Sequence, residues 1–376
     1  MISELELINF TVFSKLKVQF SPKLNVIIGE NGTGKTHLLK AAYACCASVN
    51  ENKQADVVLT QKLIRMFLPL EHEIFRLRKD GTIEDTRIAG KFFDDSEIMF
   101  SFQQSSKHVS LRDRKSSNVS AAVLIPTKEI LSLVEGMTNR SSDEETLKVL
   151  FDDTYLDLAK HALKKEDSDS ELRLNTDPRY GSVFPALAKA IGGRYRLKDG
   201  QFRFQPGFYE EIVVEKQHEL GDKKETVFKL AKGSELSNNM TAEGFRKLGL
   251  LQQLLANKTI NPGVSGPLLW DEPESNMNPK LMRTIVEVLI ELSRNGQQII
   301  LATHDYVLMK WFELLMDKKG KADHILFHTL YRNSKTNSIE IETKSEYQDI
   351  DQNSIAETFS DLTDHELTKS MGTIGK

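Results

Sequence analysis

An α/β fold with an added β-rich layer and an inserted α/β lobe is the class that the sequence predicts, and three observations carry it. Leu24 to Ile28 reads as a short buried strand running straight into Gly29-Glu30-Asn31-Gly32-Thr33-Gly34-Lys35-Thr36, after which Leu38, Ala42, Cys45 and Val49 recur at helical spacing. Pro267 to Trp270 is a second apolar strand, tipped by Asp271 and Glu272. Gln298 to Ala302 is a third, closed by Thr303 and His304.

Each remaining element follows from local pattern. Ile2 to Phe10 alternates apolar and polar residues at period two, as a half-buried strand does, and Leu16 to Phe20 continues it until Pro22. From Val57 to Ser110 the sequence reads as short strands separated by the turns Lys79-Asp80-Gly81-Thr82 and Phe92-Phe93-Asp94-Asp95-Ser96, a β-rich layer. Ala121 to Ile125 is a buried strand ended by Pro126, Ser141 to Lys165 reads as helix, and Lys164 to Glu171 as a solvated charged loop. Phe184 to Lys232 holds a short helix and strands, two of them flanking the turn Lys198-Asp199-Gly200. Thr241 to Asn257 is a helix with Phe245, Leu248, Leu251 and Leu255 on one face. Leu281, Ile285, Val288, Leu289 and Leu292 mark a long amphipathic helix closed by Gly296. Strands at Ile325 to Tyr331 and Ser338 to Thr343 precede a polar C-terminal helix. The expected division is 1–130, holding the glycine loop and the β layer; 131–235, the inserted mixed lobe; 236–330, the second half of the head; and 331–376, a strand-helix tail.

Composition narrows the classes. With 39% hydrophobic and 28% charged residues the chain is an ordered globular protein rather than a disordered one. A net charge of −4 gives no global basic field, so any contact with DNA must be local. The two cysteines, Cys45 and Cys46, are adjacent in a helical stretch and read as apolar fillers, not as a disulfide or a zinc site. No window approaches 18 consecutive apolar residues and no basic-then-apolar leader opens the chain, so a cytoplasmic protein without a membrane span is expected.

The chemistry concentrates at the three strand ends. Gly29 to Thr36 fits G-x-x-x-x-G-K-[ST] in its confirming context of strand before and helix after. Glycines let backbone N–H groups and the helix N-terminus face phosphate, Lys35 is placed to bridge the β- and γ-phosphates of ATP, and the Thr36 hydroxyl is placed to ligate Mg²⁺. Gly29, Asn31, Gly32, Thr33, Gly34, Lys35 and Thr36 are therefore the expected nucleotide-binding set. Asp271 is expected in the Mg²⁺ shell with Thr36, and Glu272 as general base toward the attacking water. His304 is placed to reach the γ-phosphate and orient that water.

These residues resemble the ABC-type ATPases, in the branch shared by SMC, RecF and OLD-like, or AAA_15, proteins. The likeness is strong over residues 1 to about 40 and about 240 to 310, in outline elsewhere. It implies a P-loop ABC-type ATPase head that hydrolyses ATP with Mg²⁺ and dimerises or oligomerises around the nucleotide. It also implies a signature motif that touches a partner's γ-phosphate. The matching stretch is Met240 to Lys247, with Ala242 in the place of the usual serine, so contact in trans falls to Gly244 N–H, the helix terminus, or Arg246 and Lys247. Ser275 to Pro279 corresponds to the loop that pairs across the dimer. Ile125 to Glu129 stands where the family places a glutamine loop, without a glutamine, leaving Lys128 or Glu129 as substitutes.

Pro126 to Glu129, Glu243 to Lys247 and Trp270 to Glu274 are also similar to ATPases of bacterial anti-phage systems such as Septu and retron-associated ATPases. That likeness implies a switch that controls a separate nuclease or toxin, since the stretch after His304 lacks the strand-end acidic ligands of a Toprim nuclease and Glu346, Asp349 and Asp351 read as a solvated turn. A RecF/SMC-like DNA-repair ATPase is the competing reading, with Lys107, Arg112, Arg114 and Lys115 as its basic stripe. A transporter motor is disfavoured by Ala242, the β-rich insertion and the absent glutamine. No sustained heptad run supports a long coiled-coil arm.

Overall fold

The computed structural model describes residues 1–48, 55–115, 120–134, 146–147, 150–166, 175–214 and 223–374. Its centre is a six-stranded sheet built from β3 (Leu24–Gly29), β7 (Val123–Ile125), β12 (Leu268–Asp271), β13 (Ile299–Ala302), β14 (Ile325–Arg332) and β15 (Ile339–Lys344). The order is β15-β14-β3-β13-β12-β7, parallel throughout except for the antiparallel edge β15. Period-two alternation sends Leu24, Val26 and Ile28 of β3 into one core and Ile27 into the other, and β12 and β13 divide in the same way. A strand buried on both faces needs near-continuous apolar residues, which is why these short runs stand out in the sequence.

Over one face lies a second, antiparallel sheet, β2-β1-β4-β5-β6, formed by β1 (Ile2–Phe10), β2 (Phe13–Gln19), β4 (Thr86–Phe92), β5 (Glu97–Phe102) and β6 (Ser110–Lys115). Helix α1 (Lys35–Ser48) is sandwiched between the sheets and is buried on nearly every side, Cys45 and Cys46 included. Gly90 of β4 is what permits the approach, because a Cβ there would sit 3.0 Å from the Cβ of Cys45. The side chain of Gln298 locks the two sheets together: its amide donates to the carbonyls of Ile2 and Ser21, and its oxygen accepts from Ile2 N–H.

The stretch from Val57 is a correction. Residues 55 to 67 form helix α2 (Ala55–Phe67), not strands. Val57 and Val58 favour a strand locally, yet Leu59, Leu63 and Met66 recur at helical spacing and pack into the core, and that burial decides the matter. Within the described residues the predicted helix from Ser141 is helical at 146–147 and 150, breaks at 151–152 and resumes as α3 (Asp153–Ala162), capped by Asp152. Residues 135–145, 148–149 and 167–174, on which part of that helix and most of the charged loop fall, lie outside the described residues.

The other face carries α3, α4 (Val183–Ile191), α5 (Glu243–Ala256), α6 (Pro279–Arg294) and α7 (Tyr306–Leu315). The hairpin of β8 (Gly193–Lys198) and β9 (Gln201–Val214) joins this core through Tyr195, Phe202 and Phe204, with β10 (Lys223–Leu230) and β11 (Leu236–Ser237) paired to β9. Tyr195 lies so close to α5 that a Cβ on Gly249 would fall 2.0 Å from its ring. Residues of the expected insert and of the head thus share one hydrophobic core. Helix α8 (Ser354–Ile374) closes the chain, its Phe359 ring stacked 4.1 Å from that of Tyr306.

A pH effect arises from His328 on β14. The ring is fully buried, with Nδ1 2.9 Å from Thr343 Oγ1 and Nε2 3.3 Å from Asn25 Oδ1, and burial pushes its pKa down to about 3. A depressed histidine binds its proton in the unfolded chain first, so its stabilisation is complete above pH 6.5 and is lost as pH falls toward 3. Going from pH 7 to pH 5 should therefore cost roughly 2 kcal/mol through this residue. Urea unfolding at the two pH values checks it, and His328→Gln should shrink the difference by about that amount, while the partly buried His37 and His161, whose pKa values burial also lowers, still contribute.

Candidate nucleotide site

Register places the C-terminal ends of β3, β13, β12 and β7 side by side, with Ile27 opposite Ala302, Ala302 opposite Asp271 and Trp270 opposite Ile125. In parallel sheets this is the edge where ligands bind, and the loops 29–36, 126–129, 272–275 and 303–305 all leave from it.

The glycine loop is shaped by positions no other residue could take. Gly29 has φ +147° and a Cβ there would lie 2.3 Å from the Leu330 carbonyl oxygen; Gly34 has φ +93° and its Cβ would meet Phe13 at 2.6 Å and Val12 at 2.7 Å. Thr33 closes the loop, donating its hydroxyl to the Glu30 carbonyl at 2.8 Å. Glu30, Asn31, Gly32 and Thr36 are exposed. The Lys35 ammonium is largely buried and donates to the carbonyls of Gly29 at 2.7 Å and Glu30 at 3.1 Å. Burial pulls its pKa below the usual lysine range, while Glu272, Asp271, Glu274 and Glu30 pull it back up.

Asp271 ends β12 beside the loop. One carboxylate oxygen accepts from Thr36 Oγ1 at 2.8 Å and from Thr127 Oγ1 at 3.1 Å. The other is buried and has no hydrogen-bond partner among the described residues. Burial raises the pKa of Asp271, and only the two hydroxyl bonds and Lys35 oppose the rise. A buried carboxylate with one unused oxygen, flanked by hydroxyls, is a hard-oxygen set of the kind Mg²⁺ takes, with few protein ligands and the rest left to phosphate and water. Among the described residues no cluster of three or more His, Cys, Asp or Glu could hold a metal, so an all-protein cage is not formed. The residues fit Mg²⁺ and a polyphosphate: Thr36 and Asp271 for the ion, Lys35 and the loop amides for the phosphates.

Glu272 follows with φ +47°, a left-handed conformation that a non-glycine residue adopts at a cost. Its N–H donates to the Ala302 carbonyl at 2.8 Å, and its carboxylate meets His304 Nδ1 at 3.1 Å. His304 is half exposed, at 51% of its side chain. Glu274 lies behind it, buried, accepting from Thr303 Oγ1 at 2.6 Å and from His304 N–H at 3.4 Å, and burial raises its pKa. The structure therefore brings Lys35, Thr36, Asp271, Glu272 and His304 to one sheet edge.

Two residues of this edge were missed by sequence reasoning. Thr127 stands where a glutamine was sought, and a hydroxyl directly after the strand-ending Pro126 was the available signal. Glu274 was visible only as one of three acids on a single stretch. Beside them a cavity of about 180 Å³ is lined by Thr36, Lys40, Thr127, Asp152, Tyr155 and Asp271.

The expectation that Glu129 faces the site is corrected. Glu129 is not a ligand toward the site; it is buried and paired with Arg246 Nε at 2.7 Å. Arg246 is thereby held within its own chain, as is Lys247, which is buried and bonded to Ser275 Oγ at 2.6 Å. Gly244 lies in the first turn of α5, packed against the Asn276 carbonyl and Met277, and among the described residues no hydrogen bond joins it to the glycine loop. Ala242 is the exposed N-cap of α5 and makes no side-chain cap. Arg112, Arg114 and Lys115 lie on the sheet-edge strand β6, with Lys107 just before it. Glu346 and Asp351 flank a short helical turn, paired with Lys318 and Lys344 respectively.

Residues 24–310, about three quarters of the chain, match the family model described as "AAA domain, putative AbiEii toxin, Type IV TA system". The RecF DNA replication and repair protein of Alkaliphilus oremlandii is 38% identical over 65 residues, 17% of each chain. That of Bacillus thuringiensis is 42% identical over 55 residues, 15% of each. These matches span about a sixth of the curated relatives' length. The crystal structure of an SMC head bound to the C-winged helix domain of ScpA is similar over 92% of this chain and 98% of that one, at 13% identity and a TM-score of 0.50, which is a likeness of fold. The fold class is thus that of a P-loop ATPase head. Among the described residues no helix is long and apolar enough to cross a membrane.

Proposed function

The chain belongs to this AAA-domain family, and we propose that it is an ATP-hydrolysing switch in which nucleotide is closed between two copies and hydrolysis releases them. The observation that carries the reading is the convergence on one sheet edge of Lys35, the Thr36–Asp271 pair at 2.8 Å and the Glu272–His304 pair at 3.1 Å. Mg²⁺, held by Thr36 and Asp271, would offset negative charge on the β- and γ-phosphate oxygens of ATP. Lys35 exchanges its loop carbonyls for phosphate oxygens. Glu272 takes a proton from the attacking water, and His304, fixed by Glu272 and by Glu274 at its backbone N–H, orients that water. His304 is the exposed member of the pair, as a group reaching toward phosphate must be.

The second copy would contribute the start of α5. There the helix lacks a side-chain cap, so the Ala242 position offers no hydroxyl to the N–H groups of the first turn, which would be left for phosphate. Ala242→Ser should add about 1 kcal/mol of stability through capping and raise ATP turnover by restoring a hydroxyl at that point. Thermal melting and steady-state hydrolysis check the two effects separately. If turnover is unchanged while the melting point rises, the position only caps the helix.

The output of the switch is proposed to be control of a separate nuclease or toxin in bacterial anti-phage defence. The family's description as a type IV toxin–antitoxin component supports an effector setting, and co-purification with products of neighbouring genes tests it. The alternative of a RecF-like DNA-binding ATPase is favoured by the RecF matches and by the cations on the edge of β6. It predicts duplex binding that weakens steeply with salt, and a flat titration at low salt removes it.

A further inference from the structure

We propose that Lys247 is a positioning residue for Glu272, tying the start of α5 to the hydrolytic carboxylate within one chain; this rests on the reading of Glu272 as general base. Lys247 is 1% exposed, and a lysine so deeply buried is rare because the ammonium must give up its hydration. Its Nζ donates to Ser275 Oγ at 2.6 Å and to the backbone carbonyl of Glu272 at 3.3 Å. Ser275 Oγ in turn donates to the Thr127 carbonyl at 3.2 Å, and the Thr127 hydroxyl bonds Asp271.

The consequence lies in the backbone of Glu272. At φ +47° that residue is held where few side chains sit, and such a conformation persists only when its surroundings over-determine it. Its N–H is fixed by Ala302, and its carbonyl accepts both from Ser275 N–H at 3.1 Å and from Lys247 Nζ at 3.3 Å, so both polar groups of the strained residue are tied down and Lys247 braces the loop at its carbonyl and at Ser275 Oγ. That constraint is what aims the carboxylate at His304. A well-packed apolar residue in place of Lys247 would be no worse for stability, so retention of a buried ammonium needs another cause. Burial pulls the pKa of Lys247 below the usual lysine range, while Glu274, Glu243, Glu272 and Glu129 pull it back up. The link also gives α5 a lever: a shift of that helix on meeting a second subunit is felt at the Glu272 carbonyl.

Lys247→Met keeps the length and removes the donor; Ser275→Ala removes one acceptor. Each is compared with wild type for steady-state ATP turnover, for affinity toward a non-hydrolysable ATP analogue with Mg²⁺, and for melting temperature. The expected result for Lys247→Met is a kcat lower by about 10- to 100-fold, the loss that a misaimed catalytic group produces. Analogue affinity should stay within about threefold of wild type and the fold should remain intact. Ser275→Ala should fall less, and the double variant no further than Lys247→Met alone, since both act through one link. Turnover within about twofold of wild type in Lys247→Met, or a loss of turnover that only tracks lost analogue affinity, overturns the inference. Glu272→Gln assayed in parallel separates the readings. If it loses turnover while Lys247→Met does not, the positioning role alone fails. If it retains turnover, the general-base reading fails and takes this inference with it.

Discussion

Replacing Glu272 by glutamine should lower ATP turnover by about 10²- to 10⁴-fold, the range associated with loss of a positioned general base, while ATP affinity is kept. The amide preserves the size of the side chain but cannot take a proton. The groups assigned to binding, namely Lys35, Thr36, Asp271 and the loop amides, are untouched by the change. Loss of the carboxylate's charge removes one repulsive partner of the γ-phosphate, so affinity should hold or rise. The split between kcat and affinity is the informative readout, because a variant that merely loosened the 272–275 loop would weaken both. Turnover within a few-fold of wild type would remove Glu272 from the chemistry.

Lys35→Ala should act on the other half of that split. Its ammonium makes two loop hydrogen bonds in the structure and is a buried cation whose charge four acids favour, Glu272, Asp271, Glu274 and Glu30. Removing a charged donor to phosphate should cost roughly 1.5–3 kcal/mol, which is one to two orders of magnitude in ATP affinity. The protein should not melt lower for it, because Lys35 is held out of water with its pKa already depressed by that burial. Calorimetric titration with Mg-ATP and a thermal melt of the free protein test both statements. An unchanged affinity would mean that phosphate is bound elsewhere.

What the sequence made legible was whatever local pattern controls. The strand β3, the glycine loop and α1 follow from a buried run, three glycines with φ constraints and a helical repeat, all within one short stretch. Strands β12 and β13 were legible for the same reason, and with them Asp271, Glu272 and His304. Helix α2 was not, because β-branched residues at its start speak for a strand and only tertiary burial of Leu59, Leu63 and Met66 speaks against one. Thr127 belongs to no motif, and its role exists only because β7 pairs beside β12. The inward turn of Lys247 was half legible. It precedes Leu251 by one helical turn on the apolar face of α5, and an offset of that kind asks what a cation is doing in the core. Arg246 and Glu129 could be recognised as a pair only once α5 and the loop after β7 were brought together.

The domain division expected at residues 131–235 is a proposal of connectivity rather than of independent folding. Its described helices and hairpin contribute Leu158, Leu187, Tyr195 and Phe204 to the core that also holds α5 and α6. A shared core of this kind gives a movement at the nucleotide edge a direct route into the insert, which suits a protein whose proposed output is a change of shape.

Nucleotide binding is proposed to close two copies of the chain on each other, and the association state of Glu272→Gln is the test. Sedimentation velocity or light scattering, without nucleotide and with Mg-ATP, should show a shift to a dimer or higher oligomer that persists because hydrolysis is blocked. The wild-type chain should shift only transiently. If Glu272→Gln binds ATP and stays at the association state it has without nucleotide, the closing of two copies around ATP is contradicted.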